Sequence, residues 1–324
     1  MAFLARVACL MGAVLLAFAG GHAGAQGYPS KAVRIIVPLG AGGATDIVAR
    51  VVAEKLGARL GQQVVVDNRP GAEGIIGVDV AAKSAPDGYT LVLGSSTTLA
   101  ANFVLRSKLP FHPVTDFVPV AKALKNAFNV LVIHPGVPAQ NLNEFIALAK
   151  SKPGQFNYGT GSSGSKICTE MFKNLAGVNI TMVNYKSTPQ ALSDLMGGQL
   201  QLVCEPVVTS LPHIRAGRLR ALGVTSPTRL AGAAEVPTVA EAGLPGFEYS
   251  AWVGVFAPAG TPKDIVNRLS AEIANVLKQP DTVKRIEGVG FDPMIGGPEE
   301  LAALLKSEIA RAAKVIKDAG IQPE

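Results

Sequence analysis

The chain has 324 residues with 30 basic and 24 acidic side chains, and 48% of its residues are hydrophobic. That length holds one large domain or two ordinary ones with a substantial core. The basic residues are scattered and aromatic residues make up only 6% of the chain, so the composition argues against a nucleic-acid-binding surface.

The first 25 residues have the three parts of a secretory signal peptide. Arg6 supplies the positive charge, residues 7–20 form the apolar core, and residues 23–25 form a small-residue cleavage site. The apolar run is too short to span a membrane. We expect export and cleavage near Ala25, which leaves 29 basic residues, 24 acidic ones and a net charge of +5. The alternative is a buried N-terminal helix.

Few metal-ligating side chains remain after the signal segment. They are two cysteines and three histidines, namely Cys168, Cys204, His112, His134 and His213. No pair among them has the spacing of zinc ligands, so we expect neither a metal nor a cofactor.

A strand, a glycine-rich turn and a helix follow one another near the start of the exported chain. The β-favouring residues 33–37 lead into residues 40–43, and a helix is predicted over 46–60. Such a turn directs backbone N–H groups and the positive end of the helix dipole at one point, which suits an anion, and its glycines allow close approach. The candidate contacts are Ala41, Gly42, Gly43 and Thr45. Asp46 is either a ligand or loop-ordering group, or a carboxylate favoured by the dipole.

Short apolar strands alternate with helical patterns through the rest of the chain, which predicts an α/β fold with parallel sheets. The predicted strands are 64–67, 89–93, 129–134, 156–158, 178–185, 200–204, 219–225 and 252–257. The predicted helices are 74–84, 142–151 with Asn141 as N-cap, one after residue 165, 188–196, 207–216, and two that begin near Thr261 and Pro298. Residues 108–125 show no helical pattern.

Three polar turns directly follow predicted strands, at residues 40–46, 94–98 and 159–165. Open α/β sheets bind ligands at the carboxyl ends of their strands. We therefore expect the second and third turns to contact a ligand as well, through Ser96, Thr97, Gly161, Ser162, Ser163 and Ser165. The alternative for residues 159–165 is a plain strand–helix loop with good N-caps.

Two charged residues near the predicted strand ends could each have one of two roles. Glu205 either meets a donor group of a ligand or caps the helix that begins at Val207. Lys186 is either a structural surface group or a partner for a carboxylate.

No catalytic constellation is complete in this sequence. The glycines at 40, 42 and 43 lack the third position of a dinucleotide fingerprint, and no Gly-Lys-Ser/Thr closes a phosphate loop. Ser162 and Ser163 lack the flanking glycines of a nucleophile elbow. A dinucleotide-dependent enzyme and a serine hydrolase are the enzymatic alternatives, but we expect no catalytic residues.

Eight segments together resemble the periplasmic solute receptors of tripartite tricarboxylate transporters, called the Bug or TctC-like receptors. They are VPLGAGGATDIVAR (37–50), VVVDNRPGAEGIIG (64–77), APDGYTLVLG (85–94), NYGTGSSGS (157–165), NYKSTPQALSDLMGGQLQL (184–202), LRALGVTS (219–226), VPTVAEAGLPGFE (236–248) and VFAPAGTP (255–262). The segments span essentially the whole exported chain in the order found in that family.

The resemblance implies a two-lobed periplasmic binding protein of type II, a Venus flytrap whose lobes are mostly parallel sheets flanked by helices. It implies a signal peptide over 1–25, lobe 1 over 26–126 and 249–324, and lobe 2 over 127–248. The expected ligand is a small organic carboxylate: a di- or tricarboxylate, an acidic amino acid or an aromatic acid. A monomer would deliver it to membrane transporter subunits; the alternative is an extracytoplasmic sensor that presents it to a signalling partner.

Several positions depart from the family pattern. Leu39 stands where the family often has a phenylalanine beside the ligand, and residues 166–168 interrupt a helix start that usually carries a histidine. Gln201 replaces a frequent aspartate, and Cys204 with Glu205 replaces an aromatic–aspartate pair near the ligand. The identity of the ligand therefore does not transfer from the family.

Cys168 and Cys204 are candidates for a disulfide. Cys168 lies in the first turn of the helix after strand 156–158, and Cys204 ends a strand predicted in the same lobe. An exported protein folds in an oxidising compartment, so we expect a bond between them. Two buried free thiols are the alternative.

Overall fold

A computed structural model describes residues 27–288 and 291–318 of the chain. A sheet of ten strands runs through both halves of this structure. The strands are β1 (Val33–Val37), β2 (Val64–Asn68), β3 (Thr90–Ser95), β4 (Phe117–Ile133), β5 (Asn157–Thr160), β6 (Thr181–Asn184), β7 (Leu202–Pro206), β8 (Arg220–Val224), β9 (Ser250–Pro258) and β10 (Asp292–Pro293). The predicted signal segment lies outside the described residues. Within them, no helix has the length and apolar character needed to cross a membrane.

Helices cover both faces of this sheet. They are α1 (Ala44–Leu60), α2 (Ile75–Ala82), α3 (Asn102–Leu105), α4 (Leu142–Ser151), α5 (Ser163–Ala176), α6 (Thr188–Met196), α7 (Val207–Arg215), α8 (Lys263–Leu277), α9 (Pro280–Gly288) and α10 (Pro298–Asp318). Short 3₁₀ turns lie at Ala72–Gly74 and Ala231–Ala233, and a π-helical turn lies at Ser96–Ala101. The sequence did not predict α9, because its stretch holds few apolar side chains.

The strand order is β2-β1-β3-β9-β4-β7-β5-β6, with β8 and β10 paired to β4. β1 is parallel to β2 and β3, and β5 is parallel to β6 and β7. The central strands β4 and β9 are antiparallel to every partner. The expectation of mostly parallel sheets is therefore corrected to a mixed sheet, because the two central strands run opposite to all their neighbours, and only the outer pairs keep the parallel arrangement that needs crossover connections.

β4 belongs to both halves of the molecule. Its 17 residues pair with β9 from Phe117 to Phe128, with β7 from Asn129 to Ile133, and with β8 from Val130 to Ile133. The predicted strand covered only its second part. Lys122 and Lys125 interrupt the apolar pattern of the first part, and the β4–β9 register shifts there.

Each half of the structure packs around its own apolar clusters, and we therefore describe the halves as two lobes. Two clusters pack around β1, β3 and β9, and two pack around β5, β7 and β8. α10 joins the lobes, since Leu301 and Leu305 belong to a cluster of the first half while Ala312 and Ile316 belong to one of the second.

The predicted disulfide between Cys168 and Cys204 is confirmed. It ties α5 to β7, with the two Cα atoms 6.2 Å apart, and both residues are fully buried. The alternative of two free thiols is wrong.

We predict that the disulfide stabilises the exported protein through the loop that it closes. The two cysteines are 36 residues apart, for which loop-closure entropy contributes about 4 kcal/mol. A Cys168→Ala/Cys204→Ala double variant should lose up to this amount of unfolding free energy in urea titrations. Thiol titration of the denatured, unreduced exported protein should find no free thiol, and two thiols would contradict the bond.

Candidate functional site

A cleft opens between the lobes where several strands reach their carboxyl ends. It encloses about 740 Å³ of empty space, counting its open mouth. Six of the residues that the sequence singled out line this cleft: Leu39, Gly43, Thr45, Thr97, Ser162 and Ser165. They come from all three polar turns, so the structure brings those turns together.

The helices α1, α5 and α6 begin at this cleft, as does α7 after Pro206. α1 starts after its N-cap residue Gly43, which has no side chain to cap the helix. α6 starts at Thr188, and both Thr188 and Pro189 line the cleft. α5 starts after Ser162, whose Oγ accepts a hydrogen bond from the Ser165 N–H at 3.2 Å. Helix geometry leaves the other first-turn N–H groups without intrahelical partners. Those groups and the helix dipoles favour an anion here.

One wall of the cleft is apolar. Leu124, Val253 and Phe291 belong to one core cluster of lobe 1, and Leu39 packs against it. Among the lining residues that the structure describes there is no lysine, arginine, histidine, aspartate or glutamate. An anion in this cleft would therefore meet neutral donors.

The first turn is ordered by Asp46 from behind. Ala41 and Gly42 are exposed and do not line the cleft. The Gly42 N–H donates to Asp46 Oδ2 at 2.9 Å, and Arg50 pairs with the same carboxylate at 3.0 Å. Burial raises the pKa of Asp46, but the hydrogen bonds from Arg50 and Gly42 outweigh it and hold that pKa below its usual value. Asp46 thus orders the loop.

Three further predicted residues lie beside the cleft and do not line it. Ser96 is buried, and its Oγ lies 3.4 Å from the Trp252 backbone N–H. Gly161 packs on the backbone of residues 187–188, where an added Cβ would lie 2.1 Å from the Ser187 carbonyl carbon. The Ser163 hydroxyl points at lobe 1, where it donates to Asn102 Oδ1 and lies 3.2 Å from Glu73 Oε2.

Glu205 is fully buried below Ser165 and does not line the cleft. The Ser165 hydroxyl donates to the Cys204 carbonyl at 2.7 Å and lies 3.5 Å from Glu205 Oε1, while Oε2 has no hydrogen-bond partner among the described residues. Burial raises the pKa of Glu205 well above its usual value, so the neutral acid is favoured. It does not cap α7, because Pro206 holds the N-cap position without a side-chain bond.

Other cleft residues were missed by the sequence interpretation. Asn129 and Tyr249 line the cleft, and both are buried. The sequence analysis predicted Asn129 as the first residue of a strand. Its polar amide at a strand end is the one local feature that could have indicated a role in the site. Lys186 is exposed and lies outside the cleft.

We predict that Glu205 makes folding stability fall as the pH rises. Because folding raises its pKa, the native state holds a proton that the unfolded chain releases above about pH 4.5. Glu205→Gln removes that proton linkage. Between pH 5 and 8 the variant should therefore gain stability relative to the unmodified protein, by at most about 1.4 kcal/mol per pH unit.

Urea titrations across that pH range measure the difference. Glu299→Gln, at an exposed glutamate, is the control and should give a flat difference. A flat difference for Glu205→Gln as well would show that Glu205 is charged in the folded protein.

Comparison with known proteins agrees with this geometry. Residues 48–321 match the sequence model of the tripartite tricarboxylate transporter family receptors, TctC. Protein BugT of Bordetella pertussis is 39% identical over 299 residues, 91% of each chain. Two solved structures are similar across their whole length. R. palustris Rpa4515 with adipate is 35% identical, matches 92% of this chain and has a TM-score of 0.88. MatC from Rhodopseudomonas palustris with bound malate is 34% identical, matches 89% of this chain and has a TM-score of 0.83.

Family membership rests on a match that covers most of the described residues, and the two solved structures share the two-lobed α/β architecture. The chain therefore belongs to the TctC family of tripartite tricarboxylate transporter receptors and is a solute-binding receptor of the periplasmic binding protein fold, not an enzyme.

Proposed function

We propose that this protein captures a small organic carboxylate between its lobes in the periplasm and delivers it, as a monomer, to the membrane subunits of a tripartite tricarboxylate-type transporter. The observation that carries the proposal is the cleft at which α1, α5 and α6 begin. The adipate and malate bound by Rpa4515 and MatC support the ligand class. Signal cleavage after Ala25 would release the receptor.

We assign residues 26–126 and 249–324 to lobe 1 and residues 127–248 to lobe 2. The exchange of β4 partners supports the first boundary, since β9 pairs up to Phe128 and β7 from Asn129. The start of β9 at Ser250 supports the second. Lobe closure then bends the chain at the two points where it passes between the lobes, within β4 and just before β9.

In this proposal the carboxylate is held by neutral donors. They are the first-turn N–H groups of α1 and α5 and the hydroxyls of Thr45, Thr97 and Ser162. Ser165 uses its proton on the Cys204 carbonyl, so its oxygen would accept from a ligand. A hydrogen bond to a charged group is worth about 1.5–3 kcal/mol, so affinity is shared among several bonds on both lobes.

The apolar wall narrows the expected ligand. Leu39, Leu124, Val253 and Phe291 give a hydrocarbon surface, which stabilises a ligand by about 25 cal/mol per Å² of apolar area buried. No cationic side chain among the described lining residues compensates several ligand charges. We therefore favour a carboxylate with a hydrocarbon body, such as a medium-chain dicarboxylate or an aromatic acid.

A thermal-shift panel tests this function. Adipate and benzoate should raise the melting temperature more than citrate or aspartate, and a ligand at 100 times its Kd stabilises by about 2.7 kcal/mol. The matched uncharged compounds, adipamide and benzamide, should have little effect. Failure of every carboxylate to stabilise the protein, or equal stabilisation by the amides, would contradict the proposal.

We predict that Gly40 permits the lobes to close. A Cβ at Gly40 would lie 2.6 Å from Ser187 Cβ across the cleft, so Gly40→Ala should favour the open form. The Kd for the panel's strongest carboxylate should rise at least tenfold, about 1.4 kcal/mol. Isothermal titration calorimetry measures this change.

A second substitution makes the Gly40 test specific. Ser187→Gly removes the atoms that the new Cβ meets, and Ser187 makes no side-chain cap bond that would be lost. The Gly40→Ala/Ser187→Gly double variant should regain most of the affinity. Gly232→Ala is the control, because no atom lies within 4 Å of its added Cβ. Absence of rescue would mean that Gly40 acts by another route.

A further inference from the structure

A group of polar side chains joins the two lobes beside the cleft and is not part of its lining. Arg106 Nη2 donates to Glu73 Oε2 at 2.7 Å, and the Ser163 hydroxyl lies 3.2 Å from the same carboxylate oxygen. Ser163 also donates to Asn102 Oδ1, while Asn102 Nδ2 donates to the Glu73 carbonyl at 3.1 Å. We name this group (Glu73, Asn102, Arg106 and Ser163) the inter-lobe latch.

The latch is well shielded from water. Asn102 and Ser163 are fully buried, and the Glu73 and Arg106 side chains are only 11% and 25% exposed. Hydrogen bonds to charged groups contribute most where water competes least. Separation of the lobes would leave the Ser163 hydroxyl and the Asn102 amide oxygen to find new partners.

The backbone at Glu73 is in a conformation that costs free energy. Glu73 has φ 56° and ψ 31°, and Ala72 before it has φ 45°. A residue with a side chain is strained in this left-handed region, whereas glycine adopts it freely. Glycine would be the more stable residue for this turn alone, so the contacts of the Glu73 carboxylate must offset the strain.

Ser163 connects the latch to the ligand cleft. It is the first residue of α5, and its neighbours Ser162 and Gly164 both line the cleft. Gly164 in turn packs closely on lobe 1, where an added Cβ would lie 2.5 Å from Thr97 Cγ2. The position of Ser163 against lobe 1 therefore fixes where the first-turn N–H groups of α5 point.

We propose that Glu73, supported by Arg106 and Asn102, is a positioning residue that holds the first turn of α5 against lobe 1 and stabilises the closed receptor. This inference rests on the proposed function, in which closure traps the ligand. Glu73 contacts no ligand in it; the residue acts through Ser163. Loss of the carboxylate should open the receptor even though it relieves backbone strain.

The test measures lobe separation without ligand, by electron–electron distance spectroscopy between nitroxide labels at Ala58→Cys and Ala147→Cys, both exposed. Glu73→Gly should shift the distances toward the open form. A residue with a merely structural role would leave these distances unchanged. Ser163→Ala should open the receptor similarly, and the double variant should open it no further.

Ala72→Gly is the matched control. It relieves the same kind of strain one residue earlier without removing a carboxylate, so it should raise the melting temperature and leave the distances unchanged. With adipate as the probe, Glu73→Gly should raise Kd three- to tenfold through a faster dissociation rate.

The outcomes separate this inference from the proposed function. Distances unchanged in both Glu73→Gly and Ser163→Ala, or an unliganded receptor that is already fully open, would overturn the latch. Should Glu73→Gly fail to fold, Ser163→Ala alone decides in the same way. If adipate and the other carboxylates fail to bind while the distances shift as expected, the latch stands and the proposed ligand class is wrong.

Discussion

Close contact between the lobes is the constraint on which the rest of the structure depends. Two glycines make it possible: Gly40 against Ser187, and Gly164 against Thr97, leave no room for a Cβ. Because the backbones come so near, the first turns of α1 and α5 share one cleft and their N–H groups can act on one ligand. The latch residues Glu73 and Ser163 meet for the same reason.

Among the described residues, acidic and basic side chains lie behind the lining of this cleft and not in it. Asp46 pairs with Arg50 below the first turn, Glu73 pairs with Arg106 beside α5, and Glu205 is buried under Ser165. Backbone dipoles can stabilise an anion in a shielded site without a counter-charge. When the lobes separate, water can hydrate both the ligand and these donors, so a closed receptor binds strongly and an open one can release.

Local patterns predicted which turns form the site but not every side chain within them. The capping role of Asn141 and the glycine-rich start of α1 follow from neighbouring residues, and the structure has both. Ser162 and Gly164 line the cleft while Ser163 faces lobe 1. Successive residues of a helical turn point in directions about 100° apart. A polar run therefore predicts a polar surface without saying which hydroxyl meets the ligand.

The sequence by itself determined the α/β order, which follows from local periodicity, and indicated the family through eight motif segments that resemble it. It also predicted the pairing of Cys168 with Cys204, because only two cysteines follow the signal segment. The tertiary structure alone decided that β4 serves both lobes and that Leu124, Val253 and Phe291 form one wall. It also decided that Glu73 meets a serine 90 positions away. Such contacts depend on strand register and on how closely two lobes approach, and no local pattern encodes either.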